Sequence, residues 1–295
     1  MGVRLPLWPQ ERQFNVQLNL FMRRIDATII RTGVIGALLV LAAVSCTVKE
    51  DRMPCPCYLN VSFSERESIP EKAEVGLLGW NASELFRAGI DVADYDPYWV
   101  KAVRKGVFYL SAYRGVSNTT PGGRYITISP GFQSDSLYAY HTEVDARGEL
   151  AYADVTFRKQ FCTVHLDIMR RPSELRQFRF LVEGNTCGFD LLTFDAVPGT
   201  FRFEPSPEDG TRVVDFRIPR QVDDSMSLTL WYRNEDGTFD NIGTFPLGRY
   251  IVRTGYNWKA EELQDVYILI DLVLGHITIG VDGWEDGAVF TFIEQ

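Results

Sequence analysis

A chain of 295 residues, 45% apolar and 23% charged, has the ordinary balance of a globular protein, which excludes a wholly disordered chain. Its 39 acidic against 30 basic residues give a net charge of -9, the wrong sign for the basic stripe of a nucleic-acid binder, and a mean hydropathy of -0.10 excludes a polytopic membrane protein. Three histidines, His141, His165 and His276, leave little material for histidine catalysis or a histidine metal cage.

The first element in chain order is an apolar run, VIGALLVLAAV at 34–44. It is too short to span a membrane, which takes about 20 residues, and fits the apolar stretch of a secretory signal. Arg23, Arg24 and Arg31 precede it as a positive flank, and Ala43-Val44-Ser45-Cys46 follow it. Small residues before a cysteine resemble the bacterial lipobox, in which that cysteine is acylated and becomes the mature N-terminus. Cys46 is therefore the expected lipidation site, and the lipid it carries the only covalent group expected. The alternative is an ordinary signal followed by an incidental cysteine. Residues 1–45 read as signal peptide; residues 1–21 add Pro6, Pro9 and mixed polarity, so the expected start is either Met22, which gives the more usual signal, or Met1 with an extended N-terminal region. Lys49, Glu50 and Asp51 resemble a surface-export signal just past the lipid. Three acyl chains on one cysteine would hold the protein permanently, since each buried CH2 adds about 0.8 kcal/mol. Tyr58 lies twelve residue steps after Cys46, a tether of about 40 Å when extended. Residues 1–45 hold five arginines against Glu11 and Asp26, so their removal moves the net charge from -9 to -12.

From Tyr58 onward, alternating runs rich in Val, Ile, Tyr, Phe and Thr dominate, bounded by Gly, Pro, Asn and Asp. YLNVSF (58–63), EVGLLGW (74–80), KGVFYLSAYRG (105–115), RYITISP (124–130) and SLYAYHTEV (136–144) make a first series. FCTVHLDIM (161–169), QFRFLVEG (177–184), FDLLTF (189–194), TFRFEP (200–205), RVVDFRI (212–218) and MSLTLWYR (226–233) make a second. VYILIDLV (266–273), HITIGV (276–281) and AVFTFI (288–293) close it. Only 82–88 (ASELFRA) and 260–263 read as helical. Strand signals at this spacing predict an all-β fold of sandwich type. The continuous segment 152–169 exceeds one ordinary strand, and is expected to pass from a first sandwich at 46–157 into a second at 158–295. The C-terminal run 288–295 is expected either to complete its own sheet or to be donated to a neighbour, with pairing in cis favoured because an exposed apolar strand invites aggregation.

Beyond Cys46 stand Cys55, Cys57, Cys162 and Cys187. Cys55 and Cys57 lie too close for half a zinc finger and lack a second cluster. Cys162 and Cys187 lie in or beside neighbouring predicted strands and could form a disulfide; a free buried thiol is the alternative. No metal site is expected: the acidic stretch from Asp282 has Ile293 at the twelfth position, where a calcium loop needs a glutamate. No nucleophile elbow, phosphate loop or dinucleotide motif occurs, so no enzyme is expected. Trp80, Trp99 and Trp231 could instead form a glycan platform, although aromatics in such folds more often fill cores.

Taken together, TVKED after Cys46, CPCYLNV at 55–61, NTCGFDL at 185–191, LGRYI at 247–251, GYNW at 255–258, LQD at 263–265 and the run from Ile277 to Trp284 resemble the Bacteroidales fimbrillin-associated anchor lipoproteins. The likeness covers nearly all of 46–295 and departs from the family in the long N-terminus and in Cys187. It implies two tandem transthyretin-like Greek-key β-sandwiches on a lipid anchor in the outer membrane, exposed at the cell surface. It also implies a role at the base of a fimbrium, with the first fimbrial subunit engaged by strand exchange through an acceptor groove in the first sandwich. The expected partners are fimbrial subunits and the membrane, with no nucleic acid and no small-molecule substrate. A surface glycan-binding lipoprotein is the alternative function, and it requires several tryptophans exposed on one face.

Overall fold

The computed structural model describes residues 55–64, 74–91, 94, 97–117, 119–169, 176–207, 213–272, 274, 276–281 and 288–291. Cys46, Lys49, Glu50, Asp51 and the whole signal region lie outside them. Strands, numbered in chain order, build four sheets. In the first, β1 (Cys57–Phe63) runs between β4 (Trp99–Val103) and β9 (Leu150–Val155), antiparallel to β4 and parallel to β9. In the second, the order is β10 (Arg158–Lys159), β8 (Tyr138–Asp145), β5 (Val107–Arg114), β2 (Glu74–Asn81) and β3 (Ser83–Asp91). These two sheets close over a core that includes Leu59, Val61, Leu77, Phe108, Leu110 and Val155.

The third sheet orders β14 (Val213–Pro219), β11 (Phe161–Ile168), β17 (Val266–Asp271), β18 (His276–Val281) and β19 (Ala288–Thr291). The fourth orders β16 (Phe239–Phe245), β15 (Ser227–Arg233), β12 (Phe178–Asp190), β7 (Tyr125–Ile128) and β6 (Thr119–Gly122), with β13 (Ala196–Phe203) also paired to β12. Leu166, Ile168, Phe180, Val182, Phe216 and Ile268 lie in the core between them. The molecule is thus all-β, built from paired sheets, because its strands alternate buried and exposed positions: β9 reads exposed-buried throughout, with Ala151, Ala153 and Val155 inward.

A third, smaller core lies on the outer face of the second sheet. Leu78, Tyr113 and Ala139 meet Ile126 from β7 and Phe189 and Leu191 from the end of β12. β2 is accordingly buried on both faces, which is why it reads as a nearly unbroken apolar run. The long segment 152–169 divides into β9, β10 and β11. Arg158 and Lys159 pair with Ala139 and Tyr138 of β8, and β11, from Phe161, pairs with β14 and β17. The step between these environments is made at the buried Gln160.

Three local expectations are corrected. Residues 82–88 form no helix but most of β3, which turns back on β2 through Ala82 at φ 54° and buries Phe86 and Ile90 in the first core. Pairing along the whole of β2 outweighs the helical composition of so short a run. The helix lies instead at Leu247–Arg253, the only α-helix among the described residues, and 260–263 is turn and coil. Finally, QFRFLVEG and the start of FDLLTF are one continuous strand, β12, while Leu191 to Thr193 form a turn ending at Phe194, φ 61°.

Leu166 has no exposed surface, whereas Leu150 is 55% exposed. Leu166→Ala is expected to cost about 2–5 kcal/mol and Leu150→Ala about 0.5 or less, read as the difference in urea midpoint at constant m.

Candidate functional site

Strand β1 is the first described strand after the expected lipid site in sequence. Cys57, Leu59 and Val61 point inward with no exposed surface, and Tyr58 and Asn60 point outward. Its polar face is tied to β9 and the turn before it. Tyr58 N–H donates to the Glu149 carbonyl at 2.8 Å, and Asn60 Nδ2 donates to the Ala151 carbonyl at 3.3 Å. Ser62 and Ser64 hydroxyls donate to the two carboxylate oxygens of Asp154 at 2.9 and 2.5 Å. With β4 on one side and β9 on the other, β1 fills the central lane of its sheet.

A partner strand needs an edge. Several edges are blunted by charge, the usual defence against unwanted pairing. β4 carries Lys101 at its middle, its ammonium 5.4 Å from the Phe86 ring centroid, and β3 carries the Arg87–Glu84 ion pair at 2.7 Å. β14 is partly covered, since Arg217 N–H donates to Gln133 Oε1 at 2.9 Å and its carbonyl accepts from Ser134 N–H at 3.1 Å. At the other end of the same sheet, β19 pairs antiparallel with β18 from His276↔Thr291 to Ile279↔Ala288 and forms the sheet's edge among the described residues. Residues 288–291 therefore pair in cis.

The molecule already contains one strand addition of its own. The hairpin β6–β7 lies within the first series in sequence, yet it extends the fourth sheet: Thr127, Ile126 and Tyr125 pair with Gly188, Phe189 and Asp190 of β12. Gly188 is required by this approach, because a Cβ there would lie 2.3 Å from the Ile126 carbonyl oxygen. Arg124, at the hairpin turn, forks onto Asp190, with Nε donating to both carboxylate oxygens at 3.1 Å and Nη2 donating to Oδ2. Burial pushes the Asp190 carboxyl up, but Arg124 and the Leu192 N–H outweigh it and hold the pKa below the ordinary value of 3.8. The NTCGFDL run thus marks a docking point, with Phe189 and Leu191 supplying its apolar floor. Nothing in the local sequence announced that 124–128 was its partner.

Three of the other runs quoted above, LGRYI, GYNW and LQD, act as structural ties. Gly248 lets the helix sit against 224–226, its N–H donating to the Met226 carbonyl at 2.8 Å, where a Cβ would lie 2.7 Å from the Asp224 carbonyl oxygen. Tyr256 hydroxyl donates to the Gln264 carbonyl at 2.8 Å. Asp265 Oδ1 accepts from Lys159 Nζ and from Thr163 N–H, each at 2.6 Å.

Cys162 and Cys187, read either as a disulfide or as free thiols, are not joined in the structure. Both are free thiols. Cys162 lies on β11 in the second core, where burial pushes its pKa up to about 12. Cys187 lies on β12, in a different sheet, its Sγ 3.3 Å from the Pro198 carbonyl on β13. Of the described tryptophans, Trp99 and Trp258 are buried and Trp80 and Trp231 are half-buried, so none of them is openly exposed.

No family model and no characterised protein sequence matches the chain. Solved structures do share its fold. The fimbrial anchor protein Mfa2 from Porphyromonas gingivalis aligns with a TM-score of 0.54 at 11% identity, over 78% of this chain and 98% of that one. A candidate adhesin from Bacteroides thetaiotaomicron aligns at 0.53 and 14% identity, over 78% and 97%. A candidate polysaccharide-binding protein from the same organism aligns at 0.51 and 14%, over 81% and 99%. The chain shares its architecture with these solved structures.

Two outcomes test the docked hairpin. Gly188→Val is expected to cost about 1–3 kcal/mol and to make 119–128 the first site of limited proteolysis. Because the Asp190 pKa is depressed on folding, its contribution is fully present above pH 3.8 and lost as pH falls through the lower folded value. Amide protection of Tyr125–Ile128 should therefore fall on acidification below that point, and Asp190→Asn should remove this pH dependence.

Proposed function

We propose that this chain is an outer-membrane lipoprotein, held at the cell surface by a lipid on Cys46, that ties the base of a fimbrium to the cell and engages its first subunit by strand exchange. The observation that carries this reading is the likeness of fold to the fimbrial anchor Mfa2 over 78% of this chain and 98% of that one, joined to a lipobox-like cysteine eleven residues before β1. Lys49, Glu50 and Asp51 serve as the export signal in this reading. The work is mechanical coupling, and no catalytic step is part of it.

The body favours one arrangement of the exchange over another. β1 occupies the middle of the first sheet and is continuous with the tether, so a groove made by removing β1 would separate body from lipid. This argues against the acceptor groove expected in the first sandwich. The edge strand β19, close to the C-terminus and paired on one side only among the described residues, is the better place for a partner strand. Backbone hydrogen bonds would give affinity there and alternate side-chain pockets the register. The glycan-platform alternative draws no support from the tryptophans.

Replacing Cys46 by Ala tests the anchor. Fimbriae are expected in the medium rather than on cells, with the body still folded in the soluble fraction. Fimbriae that stay cell-bound at normal length would overturn the proposal.

A further inference from the structure

The outward face of the first sheet is apolar where a solvent-facing sheet is ordinarily polar. Cys57, Leu59 and Val61 of β1 fill the core, so Tyr58 and Asn60 face out, flanked by Val100 and Ala102 of β4 and by Leu150 and Tyr152 of β9. Tyr58 is 49% exposed, Val100 53%, Leu150 55% and Tyr152 63%, and Tyr98, just before β4, is 41% exposed. They are five of the fifteen large apolar side chains that stand open among the described residues, gathered on the smallest of the four sheets. Single exposed apolar residues need no explanation, but a contiguous group marks a surface that meets something.

Strand register makes these side chains one patch. Tyr58 lies opposite Ala102 on one side and Leu150 on the other, and Asn60 lies opposite Val100 and Tyr152. The Tyr98 and Tyr152 rings meet edge to face, their centroids 6.0 Å apart. Asn60, at the centre, turns its amide onto the sheet itself, donating to the Tyr58 and Ala151 carbonyls at 3.0 and 3.3 Å. Polar groups collect at the far end, where Ser62 and Ser64 bond to Asp154.

The apolar end of the face is the end at which the chain arrives from Cys46. β1 and β9 are parallel, so Tyr58 and Leu150 both stand at the starts of their strands there, beside the end of the antiparallel β4. Cys57 lies eleven residue steps after Cys46, a reach of about 40 Å at most. A lipid on Cys46 therefore keeps this face within that distance of the bilayer. It also makes docking of the face intramolecular, so a contact too weak to hold a free protein is enough. Tyrosine suits the boundary between lipid and water, with an apolar ring and a polar hydroxyl. The charges flanking this end, Arg104, Lys105 and Arg147 against Asp145 and Glu149, nearly cancel, which leaves the contact apolar in character. No comparable constraint brings a second copy or a fimbrial subunit to this end of the sheet.

We propose that the outward face of the first sheet rests on the lipid surface of the membrane, with Tyr58, Leu150 and Tyr152 in the headgroup region. The inference rests on the anchor reading, because the tether is what brings the bilayer to the face. It gives that anchor an orientation: the body lies with its first sheet against the membrane instead of swinging freely on its tether.

Hydroxyl-radical footprinting read by mass spectrometry tests it, comparing the acylated chain on vesicles of phosphatidylethanolamine and phosphatidylglycerol with the Cys46→Ala chain in solution. Tyr109 is the internal control: it is 43% exposed and, with Phe108 and Leu110 turned into the first core, faces the opposite side of the same sandwich. Relative to Tyr109, Tyr58 and Tyr152 are expected to react at least about threefold less on vesicles, at sparse protein and in high salt alike. Leu150→Glu combined with Tyr152→Glu should return Tyr58 to its solution reactivity, with the chain still vesicle-bound through its lipid and thermal unfolding unchanged. Protection shared equally by Tyr109, or protection that appears only when proteins crowd the vesicle and so marks a second copy, overturns the proposal. An acylated Cys46 with unprotected tyrosines overturns the docking and leaves the anchor reading standing, whereas a Cys46 found without acyl chains overturns both.

Discussion

Strand β12 is thirteen residues long, about twice an ordinary strand, and its two ends are hydrogen-bonded to different parts of the chain. Its first half pairs with β15 in the sheet that covers the second core. Its last residues pair with β7, whose own flanking strands belong to the first series. The register shifts against β13 around Thr186 and Gly188 let one strand serve both surroundings by bending between them. The third core, the Arg124–Asp190 fork and the double burial of β2 all follow from this shared strand.

Local features elsewhere serve the same joint. Gln160 stands at the crossing between β10 and β11, and its amide donates to the Glu261 carbonyl at 2.9 Å. Lys159 reaches Asp265, and the Lys159 carbonyl accepts from Leu263 N–H at 3.0 Å. The passage from one pair of sheets to the next is thus stitched to the segment after the helix. Motifs that resemble a family signature act here through packing and backbone approach: Gly188 and Gly248 are needed because neighbouring carbonyls leave no space for a side chain.

The all-β character was readable because strands write a period of two into the sequence, as in YLNVSF and FCTVHLDIM. The short run ASELFRA misled because composition alone cannot weigh pairing with a complete neighbouring strand. The docked hairpin was invisible for a different reason. Tyr125–Ile128 and Gly188–Asp190 meet across sixty residues, and nothing local specifies the register. The contacts of Arg220 were hidden the same way, since its guanidinium reaches Gln160 Oε1 and the Trp258 and Ala260 carbonyls only once folding brings them together. The free Cys162 and Cys187 show how neighbouring strand predictions say little about which sheet each strand joins.

The placing of β1 has a mechanical consequence. A force applied along the axis of β1 runs along its ladders to the antiparallel β4 and the parallel β9. The ladder to β4 and the ladder to β9 are then loaded in shear, so their hydrogen bonds share the tension and must fail nearly together. The same strand pulled sideways would unzip one bond at a time, at far lower force. Resistance to forced unfolding is a matter of rate, set by this barrier rather than by equilibrium stability, and the direction of pull decides how high it stands.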